Sequence, residues 1–276
     1  MADAADILYQ PDRIIVMGVV NTTPDSFSDG GQFLDADRAV AQALRLAAEG
    51  ADIIDIGGES TRPGAEPVAE EEEIRRVIPV IERLARASDV AISIDTVKAR
   101  VAQLALQAGA KIVNDISALQ ADEEMAATVA QAGAGVILMH RRGTPQTMQA
   151  NTNYDDLVAE VREALAQAIA RAEDAGCDPR RIMIDPGIGF GKSLEGNLDL
   201  IRSIKTFASL GKPVLIGASR KSFVGRITGA EAPDRLGGSL AAAVAAVLNG
   251  AAAVRAHDVK ETRQAVDVAI RLRGRQ

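Results

Sequence analysis

This chain of 276 residues has a single cysteine, no tryptophan and no excess of positive charge. Cys177 is the only cysteine, so an intrachain disulfide is excluded and a reducing compartment is expected. With His140 and His257 as the only histidines, a structural zinc site is not expected either. The formal net charge of −7 argues against a partner such as nucleic acid. A local cluster of Arg and Lys can still bind a small anion.

Long apolar segments are also missing. The Ala-rich run 241–254 is interrupted by Asn249 and Gly250, so we expect no membrane span and no membrane partner. The first residues, MADAADILYQPDR, lack the basic and apolar regions of a secretory signal, and we expect a cytoplasmic protein. Aromatic residues make up only 3% of the chain, so the core must consist of Val, Ile, Leu and Ala. That composition is typical of strands covered on both faces.

Short apolar segments alternate along the chain with Ala-, Glu- and Arg-rich segments of helical spacing. The predicted strands are 14–20, 53–56, 91–94, 112–113, 136–139, 182–184, 214–216 and 253–254. The predicted helices are 37–49, 70–87, 97–108, 125–132, 155–175, 197–209, 236–248 and 259–273. No linker divides residues 1–276, so one domain is expected. Eight strand–helix units predict an α/β protein, a TIM (β/α)8 barrel of eight parallel strands with its active site at the C-terminal face.

The loops that follow the predicted strands are unusually long. They comprise residues 21–33, 57–69, 140–153, 186–195 and 218–234. Connections from helices back to strands are mostly short, as is usual for such units. In a barrel the long loops would all lie on the face that carries active sites.

Acidic and amide side chains follow several of these strands, among them Asp95, Asn114 and Asp185. A carboxylate there can accept two N–H groups of an amino-substituted heterocycle, and an amide can both donate and accept. Each residue could instead cap the helix that follows. For Asp95 both interpretations remain open. Capping explains Asp185 less well, because Pro186 and Gly187 come next.

Cationic side chains indicate an anion site on the same face. Arg62 lies in the glycine-flanked motif GGESTRPG, Lys221 follows the seventh strand, and Arg255 follows the eighth with His257 two residues later. A guanidinium on such a loop suits a phosphate or a carboxylate. The alternatives are turn chemistry or solvation for Arg62, a solvated surface pair for Arg220 and Lys221, and a structural role for His257. The run DPGIGFGKS is not a phosphate-binding P-loop, because Pro186 stands where the first glycine should be.

Eight motifs occur in order: NTTPDSFSDGG, DIGGESTRPGA, SIDT, VNDIS, LMH, DPGIGFGK, GASRKSF and RAHDVKET. With them the chain resembles the dihydropteroate synthase family of pterin-binding barrels, from Ile14 to about Val268. The resemblance implies a transferase of folate biosynthesis. Its substrates would be 6-hydroxymethyl-7,8-dihydropterin pyrophosphate and p-aminobenzoate, which condense to 7,8-dihydropteroate and pyrophosphate with Mg²⁺. It also implies that the protein is a homodimer and that sulfonamides compete with p-aminobenzoate for its site.

The resemblance assigns roles to residues at the strand ends. The pterin set is Asp95, Asn114, Met139, Asp185 and Lys221. The pyrophosphate set is Asn21, Arg62, Arg255 and His257, with Asn21 as the metal ligand. The p-aminobenzoate set is Thr61, Pro63, Phe190, Lys221 and Ser222. Those expected to act in catalysis are Asp95, Lys221, Arg255 and His257.

Two other functions compete with this interpretation. A methyltetrahydrofolate-dependent corrinoid methyltransferase module would share the Asp and Asn pterin set but has no need of the STRPG and SRKS motifs. A binding-only homologue would keep the fold without turnover, and the presence of Asn21, Arg62, Lys221, Arg255 and His257 argues against it.

Overall fold

The computed structural model describes residues 4–10, 12–22, 32–62 and 64–274. Its strands are β1 (Ile15–Asn21), β2 (Ile53–Gly57), β3 (Ala91–Asp95), β4 (Ile112–Asp115), β5 (Gly135–Met139), β6 (Ile182–Asp185), β7 (Leu215–Ile216) and β8 (Ala253–Ala256). Its α-helices are α1 (Ala4–Leu8), α2 (Gln32–Ala48), α3 (Glu70–Ala87), α4 (Ala99–Ala108), α5 (Met125–Ala132), α6 (Leu157–Asp174), α7 (Leu194–Arg202), α8 (Ile204–Ala208), α9 (Ser222–Thr228), α10 (Leu236–Leu248) and α11 (Val259–Arg273). None of the helices in this part of the chain has the length and hydrophobicity of a membrane span.

The strands form one parallel sheet that curls into a barrel. Their order in the sheet is β6-β5-β4-β3-β2-β1-β8-β7. A parallel bridge between Ile184 and Val214 joins β6 to the residue before β7 and closes the ring. The predicted TIM barrel is therefore confirmed, and the carboxyl ends of the strands meet at one rim.

Two apolar cores flank the sheet, because successive side chains of a strand point to opposite faces. One face packs against the surrounding helices. The other fills the barrel interior with a small cluster that includes Ile15, Met17, Ile53, Ile112, Ile137, Met183, Leu215 and Ala253. Ile7 and Leu8 of α1 belong to the same inner cluster, and Leu8 is fully buried. Helix α1, which the sequence pattern did not predict, therefore closes the amino-terminal end of the barrel.

Two further elements differ from the sequence prediction. The helix predicted for 197–209 consists of α7 and α8, which are separated at Ser203, a residue with non-helical backbone angles. The predicted loop 218–234 contains α9. Arg220 takes the left-handed backbone conformation just before α9, and Gly229 takes it just after. Of the predicted loop 21–33, residues 23–31 lie outside the described part of the chain, and residues 32 and 33 already belong to α2.

Candidate active site

A cleft opens at the carboxyl ends of the strands, where the sequence places its polar residues. Most of the residues predicted from the sequence line it: Thr61, Asp95, Asn114, Met139, Asp185, Phe190, Lys221, Arg255 and His257. They come from widely separated positions in the chain. The barrel brings them together because every parallel strand ends at the same rim.

Arg255 is held between two carboxylates at the floor of the cleft. Its Nε donates to Asp55 Oδ2 across 2.7 Å, and its Nη2 donates to Asp95 Oδ2 across 2.8 Å. Asn114 Nδ2 donates to the same Asp55 oxygen across 3.1 Å. Asp55 is fully buried, so its charge depends on these partners for compensation. The network fixes the orientation of Arg255, Asn114 and Asp95 before any ligand enters.

Asp95 and Asp185 line the cleft from the ends of β3 and β6, which are separated by two strands of the barrel. Burial raises the pKa of Asp95 to about 7, although the positive charge of Arg255 acts in the other direction. Burial also raises the pKa of Asp185, while the backbone N–H of Gly187, which donates to Asp185 Oδ1 across 2.7 Å, acts to lower it. Asp95 Oδ2 accepts from Arg255 and Asp185 Oδ1 accepts from Gly187, which leaves the other oxygen of each carboxylate for a ligand. Such a pair is poised to accept hydrogen bonds from a polar ligand.

One wall of the cleft is apolar. Ile116, Met139 and Phe190 line it, and together with Met148, which does not reach the cleft, they form a separate cluster of buried side chains. Lys221 Nζ lies 4.0 Å from the centroid of the Phe190 ring, a favourable cation–π distance. Burial, together with the charge of Arg255, lowers the pKa of Lys221 to about 8. A flat ligand could therefore pack on Met139 and Phe190 while its edge meets Lys221.

His257 lies beside Arg255 at the end of β8 and is oriented by Ser219. Its backbone N–H donates to Ser219 Oγ across 3.2 Å, and its Nδ1 lies 3.1 Å from the same oxygen. Burial, and then the charges of Arg255 and Arg220, lower the pKa of His257 to about 4. The imidazole is thus neutral at neutral pH. It can act as a hydrogen-bond donor to an anion rather than as a second positive charge.

Several predicted site residues do not line the cleft. Asn21 is half-buried at the end of β1, in register with Gly57. Arg62 and Ser222 are exposed to solvent. Pro63 lies outside the described residues. The ligand roles assigned to the predicted site residues, these four and those that line the cleft, stay predictions.

Three residues that support the site were not predicted from the sequence. Asp55 could have been found, because an acidic residue within the apolar strand sequence IIDIG is expected to be buried and therefore to need a charged or polar partner. Ser219 and Lys192 gave no comparable signal. Lys192 is 3% exposed, although its motif predicts only a loop.

The loop after β2, which carries Thr61 and Arg62, is anchored by a charge cluster. Lys98 Nζ lies 2.5 Å from Glu59 Oε2 and 2.5 Å from Glu73 Oε2. Glu59 also accepts the backbone N–H of Val68 across 3.2 Å, which ties the two ends of the loop together. Glu73 is buried in α3, so the cluster joins the loop to the body of the barrel.

Clefts at the carboxyl rim of TIM barrels are where α/β-barrel enzymes bind their substrates, and the buried carboxylates, amide and cations of this cleft suit a polar ligand. Residues 17–257 match the model of a family described as pterin binding enzyme. The dihydropteroate synthase of Synechocystis is 49% identical over 258 residues, which cover 93% of this chain and 89% of that protein. The chain belongs to the pterin-binding enzyme family, among its dihydropteroate synthases.

Solved structures agree with this assignment. A dihydropteroate synthase from Xanthomonas albilineans, solved with 4-aminobenzoic acid, has a TM-score of 0.92 and 47% identity, with 99% and 98% of the two chains covered. The Yersinia pestis enzyme in complex with a sulfonamide drug has a TM-score of 0.90 and 43% identity, with 97% of each chain covered. The resemblance inferred from the eight motifs is confirmed. The chain is a transferase of folate synthesis that forms 7,8-dihydropteroate from 6-hydroxymethyl-7,8-dihydropterin pyrophosphate and p-aminobenzoate.

Proposed function

We propose that the rim cleft holds the dihydropterin ring between Asp95, Asn114 and Asp185, so that the methylene carbon faces p-aminobenzoate. The observation that carries this proposal is the convergence of two buried carboxylates and a buried amide in one cleft. The amino-pyrimidine edge of a pterin presents adjacent N–H donors, which a carboxylate can accept in pairs. Met139 supplies an apolar surface for the face of the ring, and Lys221 can donate to a ring oxygen.

The pyrophosphate would lie towards the end of β8. Two of the Arg255 nitrogens already donate to carboxylates, so an anion would meet its Nη1 group. The neutral His257 would add a hydrogen bond, and the exposed Arg62 would approach from the loop after β2. An anion held by a guanidinium and neutral donors leaves more easily as its charge develops.

p-Aminobenzoate would occupy the outer part of the cleft. Thr61 and Phe190 line this part, and Lys221 packs on the ring of Phe190. The exposed Ser222, at the first turn of α9, is suited to the carboxylate group. Pro63 belongs to the same proposed set. The aromatic ring of the substrate would then lie against Phe190 with its amine directed inward.

The chemistry requires no protein nucleophile. As the bond between the methylene carbon and the pyrophosphate oxygen breaks, electron density moves to the pyrophosphate and positive charge develops on the pterin methylene. Asp95 and Asp185 stabilise that positive charge, while Arg255 stabilises the departing anion. The aniline nitrogen then bonds to the carbon and loses its proton. The products are dihydropteroate, which contains the new secondary aromatic amine, and pyrophosphate.

A Mg²⁺ ion fits this arrangement as a partner of the pyrophosphate. Among the described residues no three His, Cys, Asp or Glu side chains are grouped closely enough to hold a metal by themselves. Mg²⁺ commonly takes only one or two protein oxygens and completes its shell with phosphate and water. The carboxamide oxygen of Asn21, at the end of β1, is the protein ligand we propose. When bound, the ion would neutralise charge on the pyrophosphate.

We also propose that the protein forms a homodimer and that it acts in the cytoplasm. Large apolar side chains are exposed on the last three helices: Ile227, Leu248, Val268 and Leu272. Arg273 Nη1 donates to the Val247 carbonyl across 3.1 Å, so the ends of α10 and α11 that carry Leu248 and Leu272 lie together. An exposed apolar patch is suited to a second copy of the chain.

The single cysteine supports the proposed location. Cys177 is buried and free, as is usual in a reducing compartment such as the cytoplasm.

An assay of pyrophosphate release with the purified protein tests the function. Release is expected only when both 6-hydroxymethyl-7,8-dihydropterin pyrophosphate and p-aminobenzoate are present, and it should yield an equal amount of 7,8-dihydropteroate. Tight pterin binding without pyrophosphate release would identify a binding-only homologue. Methyl transfer from methyltetrahydrofolate to a corrinoid would support the competing transferase. Sedimentation of the same sample tests the dimer.

A further inference from the structure

Lys192 is a buried cation that the proposed reaction does not use. Its side chain is 3% exposed, yet its Nζ forms hydrogen bonds only with His140 in the described structure: 2.9 Å to Nδ1 and 3.0 Å to the carbonyl oxygen. No carboxylate of the described residues forms an ion pair with it. A buried ammonium without a paired carboxylate destabilises the folded state. The two bonds to His140 and the nearby charge of Asp185 offset part of this cost.

A chain of tight contacts connects Lys192 to Asp185. The His140 carbonyl, which accepts from Lys192, is pressed against Gly187, where a Cβ atom would lie only 1.9 Å from that oxygen. Gly187 has a left-handed φ of 74° and directs its N–H to Asp185 Oδ1 across 2.7 Å. The backbone N–H of His140 donates to the Asp185 carbonyl across 2.9 Å. The ammonium thus joins the ends of β5 and β6 at the turn that orients the Asp185 carboxylate.

The charges around this turn favour the ionised form of Asp185. Lys192, Lys221 and Arg255 face it from three different elements, and all three act to lower its pKa against the effect of burial. Lys192 in turn faces Asp185, Lys221 and Arg142, and burial lowers its pKa to about 7. Burial, then Lys192 and Arg142, lower the pKa of His140 to about 3, so its neutral Nδ1 can accept from the ammonium.

We propose that Lys192 is a positioning residue for the pterin site, which acts on Asp185 through the Gly187 turn and through its own positive charge. This inference rests on the proposed function, because it takes Asp185 as a ligand of the pterin. Lys192 itself does not line the cleft. It determines where the Asp185 carboxylate lies and how readily that group is ionised.

Titration of the Asp185 carboxyl carbon by ¹³C NMR tests the proposal without any substrate. The native protein is compared with Lys192→Met, which removes the charge and both bonds, and with Lys192→Gln, which keeps a neutral donor. Asp185→Asn identifies the signal. Both Lys192 variants should raise the titration midpoint of Asp185 by about one pH unit. At a pH below that midpoint the ionised fraction of Asp185, and with it the pterin affinity, should then fall by up to about tenfold. The affinity is measured with 6-hydroxymethylpterin.

Tyr154→Phe is the matched control. Tyr154 OH donates to the Gly191 carbonyl in the same loop across 3.1 Å, so this variant removes a bond to the loop without changing charge. Its Asp185 midpoint should stay at the native value. An unshifted midpoint in both Lys192 variants, or an equal shift in Tyr154→Phe, would overturn the proposal. So would unfolding of both Lys192 variants, since Lys192 would then serve the fold. If the native protein fails to bind the pterin, the proposed function itself fails.

Discussion

Arg255 and Asp55 form a buried ion pair that joins positions 200 residues apart, with 2.7 Å between Nε and Oδ2. Asp55 lies in the middle of β2, below the rim, and Arg255 reaches it from the end of β8. The pair places a guanidinium at the floor of the cleft, where a second carboxylate, Asp95, also binds it. The site is thus organised from beneath by a residue that contacts no ligand in our proposal.

Removal of this support should destabilise the protein. Asp55→Ala leaves the guanidinium of Arg255 with one carboxylate in place of two, and we expect the free energy of unfolding to fall by about 3–5 kcal/mol. Urea unfolding monitored by circular dichroism measures the change. Asp37→Ala, which removes the surface partner of Arg83, should cost less than about 1 kcal/mol. Equal effects of the two substitutions would refute a special role for Asp55.

Pterin affinity should depend on pH through Asp95. Because burial raises the pKa of this carboxyl to about 7, the group is protonated below that pH and accepts poorly from ring N–H groups. Affinity should therefore rise with pH through about 7. Stability should change in the opposite direction, because an acid with a raised pKa in the folded state contributes stability that is present at low pH and lost as pH rises through about 7. Calorimetric titrations across this range measure the affinity. A profile that Asp95→Asn leaves unchanged would exclude Asp95 as its origin.

Asp185→Asn should damage pterin recognition more than folding. An amide offers one acceptor where paired ring donors require a carboxylate, and an unmatched buried polar pair costs roughly 1–3 kcal/mol. Calorimetry with the pterin pyrophosphate should show weaker binding, while the melting temperature changes little. Unchanged affinity would show that Asp185 does not contact the ring.

The charge cluster behind the loop after β2 should control p-aminobenzoate binding. Glu59→Ala removes the bonds of this loop to Lys98 and to Val68 but leaves the ion pair between Lys98 and Glu73 intact. We expect the Michaelis constant for p-aminobenzoate to rise about tenfold, because small misplacements of substrate-contacting groups are costly. Glu66→Ala, in the exposed part of the same loop, is the control and should have little effect. Steady-state kinetics of the two variants measure the Michaelis constant for p-aminobenzoate. Similar constants in Glu59→Ala and Glu66→Ala would contradict the prediction.

Phe190 should discriminate between p-aminobenzoate and sulfonamides. Both carry an aniline ring, but a sulfonamide has an additional substituent that extends past the rim. Phe190→Leu changes the shape of that rim and removes the ring under Lys221, so the sulfonamide inhibition constant should rise more than the Michaelis constant. Competition kinetics measure both constants. Met148→Leu, in the same apolar cluster but away from the cleft lining, should change neither. Equal increases in both constants would defeat this explanation.

The sequence alone was enough to predict the barrel, its strand order along the chain and most of the cleft. Strands and helices leave local patterns, and residues such as Asp95, Asn114 and Asp185 stand directly at strand ends. Parallel strands in a closed barrel must end at one rim, so a list of strand ends is already a list of neighbours. Helices α1 and α9 escaped prediction, because short helices have little periodicity and depend on tertiary contacts.

Only the tertiary structure shows which side chains form ion pairs and hydrogen bonds across the barrel. That Arg255 binds both Asp55 and Asp95, or that Lys192 is buried beneath Gly187, depends on side-chain direction and on which strands become neighbours. The same structure leaves Arg62 and Ser222 in solvent, although their motifs are as clear as the others. The sequence determines the repeating units and the residues at their ends, because both follow from local periodicity. Burial, ion pairing and the resulting pKa shifts arise only when the ring closes, because each depends on residues distant in the chain.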